Sequence, residues 1–291
     1  MAIGDKFKTL IDRIQVSPAA KGALDVHASE IGTRLSKVFT LKDMKNYGSH
    51  SRDTAVAKYS DMDLFFIVAI DDFKWGGSLM TSDTVLSKFK EQLVGRYPQS
   101  AVGRDGHAMV IDFSDGSKID VLPAVFKGIN AHKKPTLWIP NGGGGWLETS
   151  PEAHNSYIKS IHDASAHKFK YAVQLMKFWR ENRAAAVPIS SFHMELLFAS
   201  QGTFSGVKSY AQCIRDAFYE LNSRKCAALN DPLGISGRVS ASSTGAKLEQ
   251  AKTAVAYALD KSDRALKAEA GGDSQAARSY WDLVFNGGFP A

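Results

Sequence analysis

Asp61 and Asp63 flank a single methionine at the mouth of the apolar run 64–70. Residues i and i+2 of a strand face the same side, so these two carboxylates stand side by side. Like charges at that spacing call for a cation. Hard oxygen ligands suit Mg²⁺, with Mn²⁺ as its substitute, in a shell completed by water and substrate phosphates. For an isolated Asp-x-Asp triplet the competing reading is an acidic strand cap facing solvent.

A third acid comes from downstream. Segments 108–113 and 117–125 flank Asp115 and Gly116, a two-residue hairpin signal. That turn predicts Asp112 opposite Ile119 and Asp120 opposite Ile111, on opposite faces of the sheet, so only one of the two can join Asp61 and Asp63. Asp120 is the choice, because a carboxylate set among Ile119, Val121 and Leu122 needs a compensating charge. Upstream, Gly48 and Ser49 form a turn that can offer backbone N–H groups and a hydroxyl to a phosphate, with glycine permitting close approach.

The elements that must hold these residues read as follows. Helices are expected over 4–15 and over 17–38, where Ser17 caps and Pro18 fits the first helical position. From Tyr47 to Val125 the pattern shifts to short apolar runs, with strands clearest at 64–68 and 108–111. Between them Thr81, Ser82 and Asp83 open a helix carrying Val85, Leu86, Phe89 and Leu93 at helical spacing. Beyond Ser150 the chain reads as helical. Ser150, Pro151 and Glu152 make a start, while Ala172, Leu175, Met176 and Trp179, and later Leu248, Ala251, Val255 and Ala258, mark apolar stripes. The expectation is an α+β chain with a mixed-sheet lobe over 1–149 and a helical lobe over 150–291, the functional cleft lying where they meet. Asn141 and the four glycines after it are read as a flexible turn near the junction rather than a phosphate cradle, since no strand feeds them directly into a helix.

Composition narrows the class. The 291 residues are 44% apolar and 23% charged, which excludes a disordered, collagenous or coiled-coil chain. Lys and Arg exceed Asp and Glu by 36 − 30, a net charge of +6 suited to anionic ligands. The N-terminal segment lacks the apolar core of a secretory signal and no run approaches the ~20 apolar residues of a membrane span, so a cytoplasmic protein without membrane contact is expected. Cys213 and Cys226 are too few for a disulfide framework or a zinc cluster and read as buried small hydrophobes.

The order Gly48-Ser49, Thr54, Asp61-x-Asp63 on a strand and Asp120 on a hairpin resembles the nucleotidyltransferases of the DNA polymerase β superfamily. There, three carboxylates hold two metal ions and the Gly-Ser loop contacts the nucleoside triphosphate. The segment Lys177-Phe178-Trp179-Arg180, followed by 187–196, narrows the resemblance to oligoadenylate synthetases, animal cyclic GMP-AMP synthase and bacterial CD-NTases. In those proteins a lysine and a serine grip the triphosphate and the next aromatic stacks on the base. These roles fall here on Lys177, which lies beside rather than within the apolar stripe of its helix as a phosphate ligand should, and on Ser191 and Phe192, while His193 is read as structural. Asn230-Asp231-Pro232, 237–240 and 281–290 resemble C-terminal segments of the bacterial branch. No cysteine and histidine cluster resembles the zinc insertion of the animal enzyme, which speaks against sensing of long duplexes by its mechanism.

The resemblance implies a two-lobed polymerase β-like fold and a monomeric, Mg²⁺-dependent synthase. It would join nucleoside triphosphates (ATP, with GTP, UTP or CTP as further candidates) into a cyclic di- or trinucleotide and release pyrophosphate. Asp61, Asp63 and Asp120 would be catalytic and metal-binding, and Gly48, Ser49, Lys177, Ser191 and Phe192 would bind nucleotide. The implied setting is bacterial antiphage (CBASS) signalling through a separate effector, without a stable nucleic-acid partner. The main alternative is transfer of a single nucleotide to RNA, protein or a small molecule. A third, an inactive nucleotide-binding module, sits poorly with retention of all three acids. Residues 287–291 are expected to fray, with a conjugation tail as the alternative.

Overall fold

Helix α1 (Ile3–Ile14) buries Ile3, Phe7, Leu10, Ile11 and Ile14, the one-face spacing of an amphipathic helix. Residues 2–97 and 100–291 are described by the computed structural model. The described chain forms two compact units, one of residues 16–156 and one of residues 1–15 with 157–291. This differs from a division at 149/150. The break falls inside a helix, and α1 belongs with the C-terminal helices, because Phe7 packs edge-on against Trp281 at 5.0 Å and Phe289 at 4.9 Å.

The first unit opens with α2 (Pro18–Leu35), where Ser17 Oγ accepts from Ala20 N at 3.2 Å and proline starts the helix. There follow β1 (Leu41–Tyr47), the single turn α3 (Gly48–Ser51), β2 (Met62–Val68) and the small hairpin β3 (Lys74–Trp75) and β4 (Ser78–Leu79). Helix α4 (Ser82–Arg96), capped by Thr81, precedes β5 (Ala101–Asp105), β6 (Ala108–Asp112), β7 (Lys118–Ile129), β8 (Pro135–Pro140) and β9 (Trp146–Thr149). The large sheet runs β1-β2-β7-β6-β5, with β8 paired to the far end of β7 and β9 to β8. Among the described residues only β2 and β7 pair in parallel, so the sheet is mixed, as expected.

Period-two alternation divides its faces. Leu64, Phe66, Val68, Ile119 and Val121 join Ile31 and Leu35 of α2 and Val85, Leu86, Phe89 and Leu93 of α4 in one core. Each such fully buried Leu or Phe contributes about 1.5–3 kcal/mol. Phe65, Ile67, Leu122 and Ala124 form a second cluster on the opposite face with Tyr47, Leu137 and Ile139. The four-glycine run is the β8–β9 turn and not a junction. Asn141 Oδ1 accepts from Gly143 N at 2.8 Å and Gly145 N at 2.9 Å, closing the turn on itself.

The helical unit comprises the rest of α5 (Pro151–Ala164), α6 (Phe169–Glu181), α7 (Ser191–Ser200), α8 (Tyr210–Ser223), the short pair β10 (Leu229–Asn230) and β11 (Arg238–Val239), α9 (Gly245–Ala270) and α10 (Ser274–Val284). Asp231 organises the β10–β11 loop, accepting from Leu233 N, Ile235 N and Ser236 N at 2.7–3.1 Å. Cys213 and Cys226 are buried free thiols whose pKa values burial pushes up to about 11. The C-terminal residues do not fray. Phe289 is 3% exposed and stacks on Phe285, Phe289 N donates to Asp282 Oδ1 at 3.2 Å, and Lys6 Nζ and Arg13 donate to the carbonyls of Ala291 and Gly288. No helix among the described residues is long and apolar enough to cross a membrane.

Candidate catalytic site

The parallel register of β2 and β7 sets Asp63 directly beside Asp120. Both lie on the face of Phe65, Ile67 and Leu122, away from α2 and α4. Asp61, one residue before β2, shares that alternation, and its Oδ2 lies 3.0 Å from Lys118 Nζ. The three acids that the sequence singles out are thus gathered at one end of two adjacent strands.

The hairpin reading needs one correction. Asp120 pairs with Val110, and Asp112 with Lys118, one residue out of the expected register. The cause is loop length. Phe113 N donates to Ser117 O at 2.9 Å, leaving a three-residue loop in which Gly116 takes φ +82°. Asp115 Oδ1 stabilises this longer turn by accepting from Ser117 N at 2.9 Å and Ser117 Oγ at 2.6 Å. Asp112 and Asp120 therefore share a face, and what selects Asp120 is its pairing with Asp63 across the parallel ladder.

The carboxylate cluster is electrostatically loaded. Burial, and then the charges of Asp63 and Asp61, push the Asp120 pKa up to about 7. Its Oδ1 is buried with no hydrogen-bond partner. An acceptor left unsatisfied beside two further acids has the chemistry of a cation ligand, so this donor set fits a hard divalent ion. Among the described residues, no group of three or more His, Cys, Asp or Glu side chains is arranged as it stands to hold a metal ion. Asp61 is paired with Lys118 instead.

Gly48 completes the cluster. It follows Tyr47, which pairs with Asp63 across β1 and β2, and it takes φ +70°. A Cβ at this position would lie 1.8 Å from Asp63 Oδ2, so the carboxylate rests against the glycine backbone. Gly48→Ala is expected to displace Asp63 and to strain a left-handed backbone, with activity down at least about tenfold and a loss of roughly 1 kcal/mol or more in stability. Steady-state rates and a urea titration of the variant read both effects.

The turn bearing Ser49 is fixed from both sides. Thr54 N donates to Ser49 O at 2.9 Å, and His50 Nε2 lies 3.1 Å from Ser60 O. Glu152 of α5 accepts from Tyr47 Oη and Lys45 Nζ, each at 3.0 Å, while Asn155 bridges Ser51 Oγ at 3.0 Å and Arg52 at 3.2 Å. Sequence reasoning missed Glu152 and Asn155, whose partners lie about a hundred residues away. Lys118 was within reach, standing two residues before Asp120 on the same strand face.

In the helical unit, Ser191 opens α7 with Phe192 next to it, both half-buried, and Ser190 caps the helix by accepting from His193 N at 3.3 Å. His193 is structural, as read: it is buried, its Nε2 lies 2.9 Å from Ala227 O, and burial lowers its pKa. Lys177 departs from expectation. Rather than standing beside the apolar stripe of α6, it is buried and ion-paired with Glu195 of α7, which is 1% exposed. The signal for this was a lone acid between Met194 and Leu196, since an interior charge requires an opposite one.

The model of the Second Messenger Oligonucleotide or Dinucleotide Synthetase (SMODS) domain matches residues 1–161. The chain belongs to that family. The SMODS match takes in Gly48, Ser49, Asp61, Asp63 and Asp120, and it ends before Lys177, Ser191 and Phe192. A curated relative, the cyclic AMP-AMP-AMP synthase of Escherichia coli (strain MS 115-1), is 25% identical over 170 residues, 55% of this chain and half the length of that relative. Among solved structures, CdnC of E. coli MS115-1 with ATP is 20% identical with a TM-score of 0.74, covering 99% of this chain and 98% of that one. The CD-NTase CdnG of Bradyrhizobium diazoefficiens, in complex with GTP, is 13% identical with a TM-score of 0.70 over 98% of both chains. The fold is that of these α+β CD-NTases.

Proposed function

We propose that this SMODS chain joins nucleoside triphosphates into a cyclic di- or trinucleotide and releases pyrophosphate. The observation that carries the reading is the pairing of Asp63 with Asp120, with Gly48 backed against Asp63, inside the SMODS match. Asp61, Asp63 and Asp120 would hold Mg²⁺, which Mn²⁺ could replace, and the ion would neutralise triphosphate charge in the transition state. Asp120, set beside Asp63 by the parallel register, would complete the cation's ligands and help to activate the attacking ribose hydroxyl. Gly48 and Ser49 would cradle phosphate, with Ser191 and Lys177 as further phosphate ligands, Lys177 from a position set by Glu195. Phe192 would stack on the base with little base preference.

ATP is the first candidate substrate, since the curated relative is a cyclic AMP-AMP-AMP synthase and CdnC was solved with ATP. The product would signal to a separate effector in bacterial antiphage defence, from the cytoplasm. Incubation with the four triphosphates, phosphatase treatment and mass spectrometry test the reading. Phosphatase-resistant cyclic species are expected. Consumption of nucleotide only when an RNA, protein or small-molecule acceptor is added would instead assign single-nucleotide transfer.

A further inference from the structure

The helical unit holds a cavity of about 370 Å³ to which the proposed chemistry assigns no residue. Its wall includes Arg180 of α6, Ser190 at the start of α7, Ser240, Ser242 and Ser243, and Lys247 of α9. The volume lies in the range of small-molecule sites, about 300–1,000 Å³. Two side chains are cationic and four carry hydroxyls, and no carboxylate among the described residues lines the space.

The wall is built rather than loose. Ser190 N donates to Ala241 O at 2.7 Å, and Ser242 Oγ donates to Pro188 O, tying the 188–190 and 240–243 segments together. Ser190 Oγ accepts from His193 N, which leaves its own proton to donate. Arg180 is oriented by an ion pair with Glu181. The Ser240 and Ser243 hydroxyls and the Lys247 ammonium make no hydrogen bond or ion pair within the described chain. The 830 Å³ groove elsewhere in this unit differs, because Glu249 and Asp282 line it with Arg183 and offset the charge.

We infer that the smaller cavity is a binding site for a polyphosphate, whose charge matches Lys247 and whose oxygens accept from the serine hydroxyls and from Arg180, whose Nε is buried without a hydrogen-bond partner. The inference is independent of the catalytic reading. Its test is chemical-shift mapping of the full-length, isotope-labelled chain without divalent cation, titrated with inorganic pyrophosphate and separately with ATP. Saturable shifts are expected at Ser240, Ala241, Ser242 and Ser243. Exposed Lys247→Glu should weaken them at least tenfold with an unchanged melting temperature, and Ser243→Asp should do the same by repulsion. Absence of shifts at these residues, or unchanged affinity in both variants, overturns the site. Tenfold tighter binding of ATP than of pyrophosphate would assign it to a nucleotide, and equal binding to polyphosphate alone.

Discussion

Replacing Asp61 and Asp63 together by Ala is expected to lower pyrophosphate release by about 10³-fold or more while the chain stays folded, because the loss removes two of the three acids proposed to hold the cation. The fold should survive. Neither residue belongs to the core shared by the sheet, α2 and α4, which rests on Leu64, Phe66 and Val68 from the same strand. Lys118 loses its partner, but a half-exposed pair is worth roughly 0–1 kcal/mol. Loss of two negative charges beside Asp120 works the other way and relieves repulsion. Pyrophosphate release and a thermal melt read the two sides. Turnover retained in the folded double variant would remove these residues from the catalysis.

The unsubstituted protein has a pH signature at the same cluster. Asp120 titrates near 7 in the folded chain, above the ordinary value of 3.8, so the folded state holds a proton that the unfolded state gives up between the two. Stability from this group is full below about 3.8 and is lost as pH rises through about 7. Without divalent cation, the melting temperature should therefore fall across that window. Asp120→Asn should remove this component of the slope. The Asp61→Ala/Asp63→Ala chain should keep part of it, since burial is the largest cause of the shift and the neighbouring charges come after it.

What could be read without coordinates divides along physical lines. Local chemistry was legible: the Ser17 and Thr81 caps, the stripe of Val85, Leu86, Phe89 and Leu93, and the strand-face pairing of Asp61 and Asp63 all depend on residues within a few positions of one another. The β6–β7 register was off by one because Asp-Gly serves two-residue and three-residue hairpins alike. The choice between them lies in how Asp115 bonds Ser117 and where Gly116 falls. Parallel pairing of Asp63 with Asp120 leaves no local trace, nor does docking of Phe7 against Trp281 from opposite ends of the chain. The burial of Lys177 escaped because a lysine near a helix stripe reads as solvated until its partner, on the next helix, is known.

That partner supplies the second large effect. Glu195→Ala is expected to destabilise the protein by about 3–5 kcal/mol, the usual result of removing one member of a buried ion pair. Lys177→Met should cost a comparable amount, since Glu195 is the more deeply buried member. Combining Lys177→Met with Glu195→Leu should recover most of the loss, because the double change removes both charges and refills the volume with apolar atoms. Denaturant unfolding of the four proteins gives the coupling directly. Losses that simply add would mean that the two side chains do not act as a pair. The recovered double variant then separates structure from ligand binding. A stable chain whose affinity for ATP falls at least tenfold makes Lys177 a phosphate ligand that Glu195 holds in place. A stable chain with unchanged affinity makes the pair a strut between α6 and α7 and removes Lys177 from the nucleotide site.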